Sequence, residues 1–386
     1  MTAALPPPPD MPGAPPAGFT PLGLGLLAAA LALPAVQPAR ADTPPERASL
    51  SLRQLDYVDS QPDAERVRVR APALSLLLPI GSRWSLQAGA VSDAISGASP
   101  TYHTSGLKPL HDHRRAGDLG LTHYFDDWTV TVAGNVSSES DYFSRGLSLQ
   151  ADWSSEDRNT RWAGGLSASS DRIDPVNRVV VDERKRSTDL FLGLTQVLSP
   201  VDLVQLNLGH KQGRGYFSDP YKIFDRRPRE RRQSTLLLRW NHHVEALNGS
   251  ARMAWRYYDD SFGIRAHTLT LEYVQPLPAG FSVTPLLRLY TQSAARFYLD
   301  ADPSAAPFVP QPPADALYYS QDQRLSAFGA ATLGLKVAWQ PHAEWTLDAK
   351  FEQYRQRGRW RLFGSGSPDL APFNARTLQF GVSCLF

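Results

Sequence analysis

From Trp345 to Glu352 the chain reads WTLDAKFE, with apolar and polar side chains alternating without a break. Successive side chains of a strand point to opposite sides. Trp345, Leu347, Ala349 and Phe351 therefore share one face, and Thr346, Asp348, Lys350 and Glu352 the other. The pattern recurs. Trp128, Val130, Val132 and Val136 alternate with Thr129, Thr131, Asn135 and Ser137; Leu236, Leu238 and Trp240 with Thr235, Arg239 and Asn241. Ala251, Met253, Trp255 and Tyr257 alternate with Arg252 and Arg256; Leu269, Leu271 and Tyr273 with Thr268, Thr270 and Glu272. Few segments carry a helical stripe. After residue 41 no stretch approaches the roughly 20 consecutive apolar residues of a membrane helix. The chain reads as all-β.

A soluble sandwich makes this alternation with its apolar face inward. A membrane barrel makes it inside out, apolar toward lipid and polar toward the lumen. Three features favour the barrel. Trp84, Trp128, Trp153, Trp240, Trp339 and Trp345 lie at or near the ends of apolar faces, as do Phe125, Tyr257, Tyr273, Phe281 and Phe386. That is where an interfacial aromatic girdle sits. Strand-like segments run near 48–58, 66–78, 83–94, 114–125, 128–138, 143–153, 160–172, 187–198, 202–211, 233–244, 250–258, 265–275, 281–294, 322–339, 344–354 and 374–386. Short turns fall at 79–82, 126–127, 199–201, 276–280 and 340–343. Long loops fill about 95–113, 173–186, 212–232, 295–321 and 355–373, all on one parity and hence at one end of an up-and-down barrel. Finally, TLQFGVSCLF places Leu378, Phe380, Val382, Cys384 and Phe386 on one face and ends on an aromatic. It resembles the terminal strand signal that the bacterial outer-membrane insertion machinery recognises. The expected fold is an antiparallel transmembrane up-and-down β-barrel of about 16 strands (roughly 14 to 18).

The barrel domain would be residues 42–386, with 1–41 a cleavable signal peptide. Pro6 to Pro16 is proline-rich, an apolar run follows from Leu22 to Val36, and Ala39 and Ala41 have the spacing a signal peptidase reads. No Lys or Arg precedes Arg40, so the usual basic region is missing and Met11 is an alternative start. The competing reading, an N-terminal anchor, fits less well, since the run is short for a spanning helix and is broken by Gly and Pro. The formal net charge of +2 argues against a nucleic-acid binder. The single cysteine, Cys384, excludes an intramolecular disulfide, and on its strand it reads as a small lipid-facing residue.

One stretch is more specific. DAISGASP (Asp93 to Pro100), followed by a polar loop and by Arg115 and Asp118 to Leu121 in an R-x-x-D-L-G-L strand entry, resembles a family of unknown function, numbered 3570, from Gram-negative bacteria. The resemblance covers nearly all of the mature chain. It implies an exported outer-membrane β-barrel ending in an aromatic residue, and lends no activity.

DAISGASP also raises the question of a serine nucleophile, with Asp93 before Ser96 and with His103, His111 and His113 in the next loop. Ser96 is not in Gly-x-Ser-x-Gly and no strand–turn–helix follows. The reading preferred here is a rim turn of Asp93, Ser96, Gly97, Ala98, Ser99 and Pro100, with Gly97 at positive φ and Asp93 directed into the lumen. His103, His111 and His113 are weak metal candidates, unsupported by a second His pair, and no metal or cofactor is expected. The basic run Arg226, Arg227, Arg229, Arg231 and Arg232 reads as an outer loop that pairs with lipopolysaccharide phosphates, turns inward toward anions, or is simply solvated. Lumen-facing positions are Arg83, Arg239, Arg252, Arg256, Arg288, Lys336, Asp348, Lys350 and Glu352, with Asp118, Asp152 and Glu272 beside them. The Pro-rich segment 302–313 is long enough to constrict the lumen.

The functional expectation is an outer-membrane barrel acting as a passive pore or transport-related barrel, without enzymatic activity. The alternative is a non-conducting scaffold or receptor working through its outer loops, and the third reading is an outer-membrane hydrolase. Expected partners are outer-membrane lipid and lipopolysaccharide, the insertion machinery (through Leu378, Phe380, Val382 and Phe386) and a small solute, with no nucleic acid.

Overall fold

The computed structural model describes residues 43–61, 64–98, 109–222, 224–300 and 311–386. Residues 1–41, read as a signal peptide, lie outside them. In chain order the strands are β1 (Ser49–Gln61), β2 (Ala64–Ile80), β3 (Trp84–Ala98), β4 (Pro109–Tyr124), β5 (Trp128–Ser138) and β6 (Tyr142–Ser154). There follow β7 (Thr160–Ile173), β8 (Glu183–Ser199), β9 (Asp202–Gly215), β10 (Asp225–Arg226), β11 (Glu230–Val244) and β12 (Gly249–Asp260). The last are β13 (Arg265–Pro276), β14 (Phe281–Gln292), β15 (Tyr319–Ser320), β16 (Phe328–His342), β17 (Trp345–Arg357) and β18 (Phe373–Leu385). All but β10 and β15 form one closed barrel, each strand antiparallel to its neighbour in sequence, and β1 pairs β18 to complete the ring. An even number of strands lets an antiparallel ring close with no free edge.

The sequence segments map one to one onto these sixteen strands, but many strands run further. β3 continues to Ala98, β4 begins at Pro109 and β8 at Glu183. At the start of β8 charged residues, Glu183, Arg184, Lys185 and Arg186, occupy both faces, so hydropathy no longer marks the strand, and in all three cases backbone pairing carries the strand further. The segment near 322 starts late instead. Gln323–Leu325 form a 3-10 turn capped by the Asp322 side chain, and β16 begins at Phe328.

Cross-strand register fixes which residues face in. Asp93 opposes Arg114, Asp118 opposes Asn135, Thr129 opposes Asp152, Arg288 opposes Thr332 and Lys336 opposes Lys350. The other parity faces out and is apolar at mid-height. Leu333 is 64% exposed, Leu147 62% and Leu190 58%. A sandwich core would bury these positions, and a water-soluble surface rarely carries a continuous apolar belt. The alternation is therefore inside out, as a lipid-embedded barrel requires.

The two ends differ. The connections spanning 174–182, 216–229, 293–327 and 358–372 all leave one end, the end at which β3 stops and β4 begins. The other has short turns, such as Pro278–Gly280, where Ala279 and Gly280 take φ of 60° and 78°. A side chain at Gly280 would run into the Gln340 carbonyl, so this turn accepts only glycine.

Candidate functional site

The interior is polar, and its two sides differ in charge. One wall, from β11 round through β18 to β1, directs Arg231, Arg239, Arg252, Arg256, Arg288, Lys336, Lys350 and Arg53 inward, against Asp59, Asp260, Glu272, Asp348 and Glu352. Arg53 Nη1 lies 3.6 Å from Asp348 Oδ1, with both side chains nearly inaccessible. Glu352 Oε1 is 3.0 Å from Lys350 Nζ and 3.6 Å from Arg288 Nη1. Arg239 donates to Gln205 at 2.9 Å. Arg252 and Lys336 make no ion pair among the described residues.

The opposite wall, β3 to β9, directs Asp93, Asp118, Asp152, Asp171 and Asp189 inward beside Arg114, Arg161, Lys185 and Lys211. Arg161 lies 3.0 Å from Asp152, Lys185 3.0 Å from Asp171 and Lys211 3.7 Å from Asp189. Tyr142 and Ser144 also donate to Asp171, at 2.6 and 2.7 Å. Asp118 folds over Gly89, where any side chain would collide with its carboxylate. A cationic wall therefore faces a mildly acidic one across the lumen, and a polar solute between them would be oriented by the field.

At the long-loop end the loops are tied together. β10 and β15, each two residues long, pair within loops 216–229 and 293–327. Around them lies a buried ion cluster. Arg227 donates to Asp225 through Nε at 2.8 Å and Nη2 at 2.7 Å, and Nη2 also reaches Asp322 at 2.7 Å. Arg324 grips Asp322 with Nε at 2.7 Å and reaches Asp219 at 3.3 Å. Burial works to raise the Asp322 pKa, but Arg324, Lys222 and Arg227 outweigh it and hold the carboxyl well below its ordinary range. For Asp225 burial outweighs Arg227, and its pKa is raised.

The ties continue around the mouth. Tyr221 donates to Asp141, and Asn177 donates to the Pro220 carbonyl at 2.8 Å. Gln61 at the end of β1 donates to Gln323 at 2.9 Å, and Ala327 and Ser367 exchange backbone and side-chain hydrogen bonds. Beneath lie two apolar clusters. Phe262, Ile264, Ala295 and Leu325 form one; Tyr57, Val67, Phe328, Tyr354, Leu370 and Phe373 belong to the other. The described loops thus form a latched rim over part of the mouth. The Pro-rich segment read as a constriction falls largely in 301–310, outside the described residues.

The residues singled out from sequence are placed as follows. Arg239, Arg252, Arg256, Arg288, Lys336, Asp348, Lys350 and Glu352 lie on the inward face. Arg83 does not. It sits in the 81–83 turn, 62% exposed, beside Asp126, because β3 starts one residue later. The rim turn is also corrected. Ser96, Gly97 and Ala98 continue β3, in register with His111, Leu110 and Pro109, while Ser99, Pro100 and His103 lie outside the described residues. Asp93 is buried, but its partner is a side chain and not turn backbone. Arg114 Nε donates to Asp93 Oδ2 at 2.6 Å, and Nη2 lies 2.5 Å from the same oxygen without the alignment to donate. His113 faces outward, on the other face from Asp93, and the two cannot share an ion. Among the described residues there is no cluster of three His, Cys, Asp or Glu able to hold a metal.

The basic run divides. Arg227 is in the latch, Arg229 makes a two-armed pair with Glu183, Arg231 turns in to Asp260, and Arg232 faces out. Leu378, Phe380 and Val382 form an outward, exposed row, and Phe386 is 60% exposed at the chain end. Sequence reasoning missed Arg53, Arg114, Arg161, Asp171, Lys185, Asp189 and Lys211. The signal for Arg53 was hidden because leucines lie on both faces of β1, Leu50 and Leu52 on one and Leu55 on the other.

A model of the family described as protein of unknown function (DUF3570) matches residues 24–182 and 177–377. The chain belongs to that family. No curated protein sequence matches the chain. Among solved structures, this DUF3570 barrel is similar to a bacterial polysaccharide outer membrane secretin, with TM-score 0.52 and 9% identity over 88% of this chain and 98% of the other. It also matches OccK2 (OpdF) of Pseudomonas aeruginosa, solved with glucuronate, at TM-score 0.46 and 12% identity over 88% and 98%. The siderophore receptor PirA from Pseudomonas aeruginosa matches at TM-score 0.42 and 13% identity, over 88% and 63%. At such identities the likeness is one of fold, that of outer-membrane barrels.

Proposed function

We propose that this DUF3570 protein is a passive pore of the bacterial outer membrane that admits small polar solutes and leans toward anions. The observation carrying this reading is the inverted barrel: an apolar outer belt around an interior whose cationic wall outnumbers its carboxylates. The long-loop end faces the cell exterior and the short turns face the periplasm. Export uses residues 1–41 as a signal cleaved after Ala41, and assembly reads the outward row ending at Phe386. No reaction and no cofactor are assigned. The substrate class is left at small polar or anionic solutes.

The latched rim favours one further reading, a barrel that stays closed and offers its loops to a partner. Single-channel recording of purified, folded protein in planar bilayers separates the two. Discrete conductance steps in wild type establish the pore. Silence in wild type, with steps in an Arg227→Ala variant, identifies a gated pore. Silence in both leaves the scaffold.

A further inference from the structure

Beside the outward row of β18 the barrel wall is dented. Pro72 lacks an N–H to give its neighbour, and β2–β3 pairing skips from Arg70↔Ala94 to Ala73↔Val91. The dent is a groove of about 630 Å³ across β18, β1, β2, β3 and β4. Its outward lining is mainly apolar, from Leu52, Pro72, Leu74, Ala90, Phe380 and Val382, with Gln54 as a polar member beside Pro72 and Phe380. Toward the long-loop end it is topped by Ser92 and Arg115, which oppose each other in register. Arg115 is exposed and makes no ion pair among the described residues.

The same combination of outward face and long-loop end recurs around the ring. Arg145, Arg186, Arg232 and Arg355 are exposed there without an acidic partner among the described residues. The outward face at the short-turn end carries tryptophans and no Arg or Lys among the described residues. Guanidinium at this height, with no ammonium on the outward face among the described residues, is the chemistry for phosphate held two-handed. An apolar groove below it is the chemistry for an acyl chain.

We infer that the groove under Arg115 is a binding site for the phosphorylated, multiply acylated glucosamine lipid of the outer leaflet, an acyl chain lying between Leu52, Leu74 and Phe380 and a phosphate on Arg115. The site rests on the outer-membrane orientation but not on conduction, so a silent channel leaves it standing.

The test is native mass spectrometry of the folded protein in detergent, with purified bis-phosphorylated lipid A as probe. Dephosphorylated lipid A and phosphatidylglycerol serve as comparisons. Bis-phosphorylated lipid A is expected to bind in preference to both. Arg115→Gln is expected to weaken it about tenfold, and Ala90→Trp, which fills the groove and leaves Arg115 in place, to weaken it comparably. Arg184→Gln, at an arginine already paired with Asp182, is expected to leave it unchanged. Equal binding of the dephosphorylated lipid or of phosphatidylglycerol overturns the inference. So does wild-type binding by Arg115→Gln or by Ala90→Trp, once heat-modifiable gel migration shows that the variant is folded.

Discussion

The two ends of the barrel solve different problems with different residues. At the short-turn end, Trp84, Trp128, Trp153, Trp162, Trp240, Trp339 and Trp345 face outward, seven of the chain's nine tryptophans. Several stack, Phe281 on Trp339 at 5.6 Å and Trp84 on His123 at 4.2 Å. At the long-loop end, arginines take the outward positions and paired acids and bases hold the loops. An aromatic ring prefers a membrane–water interface for its own sake. An arginine there needs anionic neighbours, from the protein or from the lipid. One end is thus anchored by amphipathic surface, the other by charge, and the second should respond to pH, salt and lipid head groups far more than the first.

The largest effect that separates the ends is expected at the latch. Arg227→Ala leaves Asp225 and Asp322 buried without their shared partner, a change that costs about 3 kcal/mol in such clusters. Loops 216–229 and 293–327 should become protease-sensitive while the barrel keeps its heat-modifiable gel shift; unchanged cleavage would show that the latch does not hold them. Next is Asp93→Ala, which strands Arg114 in the lumen wall. It should lower the temperature at which the folded gel band is lost, with Asp93→Ala/Arg114→Leu recovering part of the loss. A double variant no better than the single one would mean that the pair is not the cause.

A smaller effect is expected at the girdle. A double-mutant cycle on Phe281 and Trp339 should return a coupling of about 1 kcal/mol that does not change with salt. Salt sensitivity there would erase the distinction between the ends. The smallest effect belongs to exposed pairs such as Arg214–Glu230, 3.2 Å apart with both side chains more than 60% exposed, where removal should cost about 0.5 kcal/mol or less.

Acid should act in a particular order. The stability supplied by Asp322 is present above the ordinary carboxylate value near 3.9 and is lost only as pH falls through its own, lower pKa. Asp225, with its raised pKa, is protonated more readily when latched, so acidification through that pKa favours the latched form. Loop proteolysis should therefore stay unchanged from pH 7 to about pH 5 and rise only below the ordinary carboxylate range. Release near pH 6 would contradict the arrangement.

The barrel was legible in the sequence because a lipid-embedded wall must alternate at every residue. Segments such as Trp345–Glu352 and Trp128–Ser137 state that rule directly. Inward positions followed from parity wherever one face was plainly apolar, as for Arg239 and Asp348. Reading failed where strands outrun the apolar belt. β3 continues through Ser96–Ala98 because pairing with β4, not hydropathy, extends it, and a stretch rich in Ser and Gly looks like a turn. The latch left no local trace. Asp225 and Ser320 meet across 95 positions of chain, and only the closed ring brings their loops together. The opposite wall of the lumen was partly hidden too, since Lys185 and Lys211 lie in segments where charge occupies both faces.

The measurement that bears most directly on the pore reading is the reversal potential of the folded protein in a bilayer under a KCl gradient, for wild type and for Arg252→Glu. A water-filled lumen with an excess of cations on one wall predicts steps that reverse on the anion-selective side, and a shift toward cations in Arg252→Glu. A folded protein that stays silent even with Arg227→Ala, or steps whose reversal potential does not respond to Arg252→Glu, would contradict it.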